Sequence, residues 1–239
     1  ADIERLTLRA ATRYLDMPAN RILRLLKALL LFAGNLHRRP WLMLRAINVL
    51  RQGRFASSLR LLYWALRLRD EPPFDIVHCH FGTIAAQAAA LSEIGAIKGR
   101  LIAVFHGVDM SAYLIDDRRQ YRRLFAMGDL FMQVSYLWRQ RLLEAGCDPK
   151  RIVVHRMGVD LRRFAYRLRD IQPGGPLRIL SVGRLVEKKG IADALFDIAC
   201  LAATGQAAEY TILGDVPARQ RLEQLARELG IAPQVLIMG

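Results

Sequence analysis

The chain has little cysteine. Its three residues, Cys79, Cys147 and Cys200, are odd in number and far apart, which excludes a disulfide-stapled domain. Two of them fall where a strand or helix reads as buried, so reduced thiols in a reducing compartment are expected. No Gly-x-Ser-x-Gly elbow occurs, which removes the serine-hydrolase reading. No Walker loop ending in Gly-Lys-Ser/Thr and no G-x-G-x-x-G fingerprint is present either. The longest greasy run, 28–33, is far short of the roughly 20 residues that span a bilayer. The opening Ala1-Asp2-Ile3-Glu4 has no apolar signal segment. A cytoplasmic protein with at most peripheral membrane contact is expected. An initiator Met is lacking, and Gln234 to Gly239 end on what reads as a strand, so both ends look cut.

What the chain does have is apolar mass and positive charge. Hydrophobic residues make up 53% of 239, enough for one large or two modest cores. The net charge is +14, and residues 1–70 hold fourteen Lys or Arg against four Asp or Glu. Such a block attracts polyanions (nucleic acid, anionic lipid or a charged glycan), or it is simply a solvated basic face.

Residues 4–70 read as helices. Ile22, Leu25, Leu26 and Leu29 recur at helical spacing, with Arg21, Arg24 and Lys27 between them. A second stretch, 41–68, offers Leu44, Ile47, Leu59, Leu62 and Leu66 as buried positions, with Pro40 starting it and Gly53 breaking it. Phe32, Trp41 and Trp64 populate the apolar side, so these helices suit either an interfacial membrane contact or packing on the adjoining sheet. From Pro73 the pattern changes to short apolar strands alternating with helices. Strands are expected at 74–79, 101–105, 130–134 and 152–155, and helices at 84–94, 118–127 and 136–145. After the turn-rich 167–176 the alternation restarts, with strands at 178–182, 210–213 and 235–238 and helices at 191–203 and 218–229. Continuous apolar strands separated by helices indicate parallel sheet covered on both faces. The expected organisation is α/β: an N-terminal Rossmann-like domain over 1–166, including the basic helical segment 1–70, a linker at 167–176, and part of a second Rossmann-like domain over 177–239. A ligand cleft is expected between them at the strand carboxyl ends.

The strongest candidate site is Gly183-Arg184-Leu185-Val186-Glu187-Lys188-Lys189-Gly190, between a strand and a helix, where an α/β fold presents N–H groups to an anion. Gly183 permits close backbone approach, Arg184 can fork onto phosphate oxygens and Lys189 adds a point charge. His106 ends a strand before Gly107, and Asp109 can orient it, cap the next helix or make a turn, with capping favoured. His78 and His80 alternate onto one strand face, but two ligands do not make a metal site. The turn His80-Phe81-Gly82-Thr83 instead leads into a helix N-terminus able to hold an acceptor phosphate or hydroxyl.

Strand-Gly183-Arg184-x-x-x-x-Lys189-Gly190 resembles the donor-diphosphate motif of glycosyltransferase family 4. Four further segments resemble that family in order and spacing: 105–109 around His106; Met157-Gly158-Val159-Asp160 with Phe164; Ile212-Leu213-Gly214-Asp215-Val216-Pro217, with Val216 where Gly is common; and 229–239. With His78-Cys79-His80-Phe81-Gly82, they look most like exopolysaccharide enzymes of the colanic acid and amylovoran type. The likeness is expected over 73–239, with 1–70 matching weakly as a basic helical insertion. It implies a GT-B-like pair of Rossmann-type domains, the second incomplete, and sugar transfer from a UDP- or GDP-sugar to a lipid-linked saccharide acceptor. Retention of configuration without an obligatory metal or cofactor is implied too. By this resemblance His106 is the catalytic-cleft histidine. Gly183, Arg184, Lys189 and Gly214 hold the donor, and His80 and Gly82 lie on the acceptor side. The resemblance also places two donor-reading glutamates beyond Gly239, and a first strand with a Gly-rich acceptor turn before Ala1, so the chain alone is expected to be inactive. The opposing reading is a non-enzymatic polyanion- or membrane-binding module. A specific nucleic-acid partner is not expected, since no reader motif is found and Arg interleaved with Leu suits lipid or core better than bases.

Overall fold

The computed structural model describes residues 12, 14–109, 121–168, 175–214 and 219–239. They form two compact units, Ala1–Val159 and Asp160–Gly239. The 167–176 segment thus falls within the second unit, and its residues 169–174 lie outside the described residues.

The first unit opens with helices α1 (Arg21–Leu36), α2 (Pro40–Ile47), α3 (Val49–Gln52), α4 (Arg54–Ser57) and α5 (Arg60–Leu68). Asn20 starts α1 by accepting the N–H groups of Ile22 and Leu23 on its side chain. Pro40 occupies the first turn of α2, and Gly53, at φ +53°, separates α3 from α4. The sheet follows: β1 (Ile76–His80), α6 (Gly82–Ile94), β2 (Arg100–Val104), α7 (Arg122–Met127), β3 (Leu130–Gln133), α8 (Tyr136–Glu144) and β4 (Ile152–Val154). The expected start of α7 at 118 lies outside the described residues. All four strands are parallel in the order β1-β2-β3-β4. Gly95, in the left-handed conformation, closes the Ala-rich α6 where the sequence put its end.

The second unit repeats the grammar: β5 (Leu177–Val182), α9 (Ile191–Ala203), β6 (Ala208–Leu213), α10 (Arg219–Glu228) and β7 (Val235–Met238). These three strands are also parallel, in the order β5-β6-β7, over a core of Leu185, Leu195, Ile198, Tyr210 and Ile212.

The helical region corrects the sequence reading. Ile22, Leu25, Leu26 and Leu29 are exposed, and α1 instead meets the core through buried Ala28 with half-buried Leu31, Phe32 and Leu36. Leu44 and Ile47 are exposed too, whereas Leu42, Met43 and Ala46 of α2 are buried. In α5, Leu62 is buried as expected, alongside Leu61, Tyr63 and Ala65. These helices carry apolar residues on more than one face, so periodicity alone cannot choose the face that packs.

Candidate functional site

In the first unit the site residues gather at the carboxyl ends of β1 and β2. The register sets His80 opposite Val104, so His106 emerges two residues beyond its strand neighbour. His80 Nδ1 and His106 Nε2 lie 3.2 Å apart, and the two rings stack at 5.4 Å with 20° between their planes. At that separation a single proton lies between the facing nitrogens, one ring donating and the other accepting. One nitrogen of His106 is thereby engaged, and Nδ1 is left for other chemistry.

Two further contacts fix His106. Its N–H donates to the Asp109 carboxylate at 2.9 Å, and Asp109 N–H donates to the His106 carbonyl at 3.0 Å. Residues 107–109 are helical, so buried Asp109 closes the reciprocal half of a capping box, with His106 at the cap. The Phe81 ring sits 4.6 Å from the His106 ring, on a backbone held at φ +73°, ψ 133°, which side chains rarely adopt. Phe81 was not singled out from the sequence, and the only available signal was an aromatic wedged between His80 and Gly82.

Gly82 has a tight steric reason to be glycine. A Cβ there would lie 2.4 Å from the Phe105 ring and 2.9 Å from Tyr121. It opens α6, two residues after His80. His78 and His80 rings are 4.9 Å apart. Among the described residues no group of three or more His, Cys, Asp or Glu is placed to hold a metal ion.

In the second unit the loop 183–190 leaves the end of β5, and its neighbour Gly214 leaves the end of β6. A Cβ at Gly214 would fall 1.9 Å from the Gly183 carbonyl oxygen, so the two strand ends touch backbone to backbone. Buried Leu185 anchors the loop in the core below them. A Cβ at Gly183 would meet only the Lys189 stem, at 3.8 Å, so close packing within the chain requires glycine at Gly214 rather than at Gly183. Two main-chain N–H groups at these strand ends are already committed. Gly183 N–H donates to Leu213 O and Gly214 N–H to Met238 O, each at 2.9 Å, which commits both to the sheet.

Arg184 and Lys189 are exposed, and no ion pair among the described residues engages either of them. Gly190, at φ +65°, caps the 13-residue α9, whose N-terminus adds partial positive charge. Asp193 in the first turn of α9 offsets part of that charge. The loop therefore offers two extended cations beside a helix N-terminus at the ends of parallel strands, an arrangement suited to a phosphate-bearing ligand. The segment Asp215-Val216-Pro217 lies outside the described residues.

The sequence places the chain in a family. It belongs to Glycosyltransferase Family 4, whose model matches residues 11–163. Among curated relatives it is 38% identical over 242 residues to the colanic acid biosynthesis glycosyltransferase WcaL of Salmonella typhimurium, across 99% of this chain and 58% of that protein. It is 37% identical over 204 residues to the amylovoran biosynthesis glycosyltransferase AmsK of Erwinia amylovora, across 80% of this chain and 49% of that protein. The chain thus spans about half the length of the relatives it matches. The lipopolysaccharide outer core galactosyltransferase WaaB shares the fold with a TM-score of 0.57 at 18% identity, covering 77% of this chain and 48% of that one. HepE of Anabaena, in complex with UDP and glucose, does so with a TM-score of 0.58 at 15% identity, covering 79% and 53%. These likenesses bear out the GT-B-type, Rossmann-like fold that the resemblance implied. The extent of the match is wider than expected: it begins at residue 11, so the basic helices are part of the family match rather than a weakly matching insertion.

Proposed function

We propose that this chain contributes to sugar transfer from a nucleoside-diphosphate sugar to a lipid-linked saccharide acceptor in exopolysaccharide assembly, with an anionic membrane surface as a further partner. The observation that carries the reading is the pair of exposed cations, Arg184 and Lys189, on a loop fixed at the carboxyl ends of β5 and β6. As the donor bond breaks, negative charge grows on the departing diphosphate. A guanidinium fork and an ammonium offset that charge, doing the work a divalent cation does elsewhere, so neither metal nor cofactor is required. His106, with its backbone tied by Asp109 and one nitrogen engaged by His80, offers Nδ1 to a sugar hydroxyl or to the developing positive charge. Gly82 and the start of α6 serve the acceptor side. Retention of anomeric configuration belongs to the same reading.

The two names supporting the pathway are those of WcaL and AmsK, which share more than a third of their aligned residues with this chain. The test uses the whole polypeptide in which this chain occurs. Arg184→Ala and Lys189→Ala should each weaken UDP- or GDP-sugar binding roughly tenfold or more, the worth of a charge-assisted hydrogen bond. Thermal midpoints should stay unchanged, because both side chains are exposed. Unaltered donor affinity and transfer rate in the double variant would remove the role assigned to the loop.

A further inference from the structure

A helix that packs along one face ordinarily turns a polar face to water. The helix α1 does not. Away from its Ala28 stripe, the residues Ile22, Leu23, Leu25, Leu26, Leu29 and Leu30 are all exposed, Ile22 by 70% and Leu30 by 76%. At 3.6 residues per turn they share one arc of about 160°, with no polar side chain inside it. Two of the three charged residues of the helix, Arg24 and Lys27, are occupied elsewhere. Arg24 Nε donates to the Pro18 carbonyl at 2.9 Å, and Lys27 pairs with Asp16 at 2.6 Å. The Tyr63 hydroxyl donates to the Arg24 carbonyl at 2.9 Å and pins α1 to α5. The helix is thus held with its leucines outward. On α2, which packs against α1, Trp41 is 73% exposed and Leu44 is exposed as well. So much exposed leucine on one helix goes well beyond the scattered apolar residues of an ordinary surface.

The surrounding charge identifies the occupant. From Met17 to Arg69 the sequence holds eleven Lys or Arg and no Asp or Glu. A second copy docking by the same face would bring like charge against like. A nucleic acid would meet the arginines but leave the leucines in water. An anionic bilayer meets both requirements, with hydrocarbon for the leucines and lipid phosphates for the cations beside them, such as Arg38 and Arg39 next to Trp41. We propose that the leucine face of α1, with Trp41 of α2, lies in the headgroup–acyl boundary of an anionic membrane. This rests on the lipid-linked acceptor reading and assigns its membrane contact to named residues. It also redistributes the aromatic side chains: Phe32 and Trp64 pack against the core, and Trp41 is the one that reaches lipid.

The test is co-sedimentation of the 239-residue chain with vesicles of phosphatidylcholine alone or mixed with phosphatidylglycerol. The chain should bind the mixed vesicles, and Leu26→Asp/Leu30→Asp should lower that binding by about tenfold or more. Tryptophan emission should shift to the blue on binding, and the shift should vanish in Trp41→Phe. Both variants alter exposed residues, and matching circular dichroism would show that they fold. Wild-type binding by the double variant would overturn the assignment. So would dimers of the native chain that the double variant lacks, since they would give the face to a second copy. Vesicle binding requires no donor, so failure here leaves the diphosphate reading standing, and failure at Arg184 and Lys189 leaves this one standing.

Discussion

At the residue scale, three glycines that look alike in the sequence have different reasons to be there. Gly82 is hemmed in by the Phe105 and Tyr121 rings, and Gly214 by the carbonyl of Gly183, whereas Gly183 has room for a methyl group. Gly82→Ala should cost about 1–3 kcal/mol, the usual penalty for forcing an extra carbon into a packed site. Gly214→Ala should cost at least as much, because a backbone carbonyl yields less readily than a ring. Gly183→Ala should leave the urea midpoint almost unchanged, so equilibrium denaturation of the three variants separates them. None of this ranking was legible from the motif. The sequence marks where glycines stand, but the atoms that exclude a Cβ come from Phe105, Tyr121 and another strand end. The His80–His106 contact was hidden for a related reason: the residues are 26 positions apart, and only the parallel register brings their rings together.

Among the elements, those from β1 onward were readable almost to their ends. Short runs rich in Val, Ile and Leu mark the strands, and glycines such as Gly95 and Gly146 close the helices between them. The expected cover on both faces is not met in β5 and β7, where half-buried and exposed residues alternate and Leu180, Val182 and Leu236 face outward. The junction between β1 and α6 carried a feature no such pattern announces. Phe81 holds a backbone conformation suited to glycine, at a cost of about 1–3 kcal/mol, while its ring lies against His106. Phe81→Gly should therefore match or exceed the wild-type melting temperature, because relief of strain offsets the loss of a partly exposed ring. In the whole polypeptide the same change should lower the transfer rate by freeing the His106 imidazole. Calorimetry and a transfer assay on one preparation would show the two effects moving in opposite directions.

For the molecule as a whole, the buried thiols link stability to pH. Desolvation raises both Cys79 and Cys147 from 9.0 to about 11, and both belong to the first unit's core. A raised folded-state pKa means that the folded chain keeps protons the unfolded chain has begun to release. The stabilisation is complete below pH 9 and is lost as pH rises towards about 11. The urea midpoint should therefore fall between pH 8 and pH 10, and less steeply in Cys79→Ala/Cys147→Ala. Exposed Cys200 should be the fast-reacting thiol of the native chain.

The contact between the ends of β5 and β6 also bears on selectivity. Gly183 and Gly214 give their amide hydrogens to the sheet, so under the proposed donor reading contact with a phosphate at these strand ends would begin one residue later, with Arg184. A rigid cradle of main-chain groups would discriminate by shape. Two long arms discriminate by reach, losing rotational freedom when they close on a ligand and gaining most when it spans both of them. A ligand with two linked phosphates can occupy both arms at once, and an isolated phosphate can satisfy only one. Preference for the diphosphate would then arise from span rather than from snugness of fit.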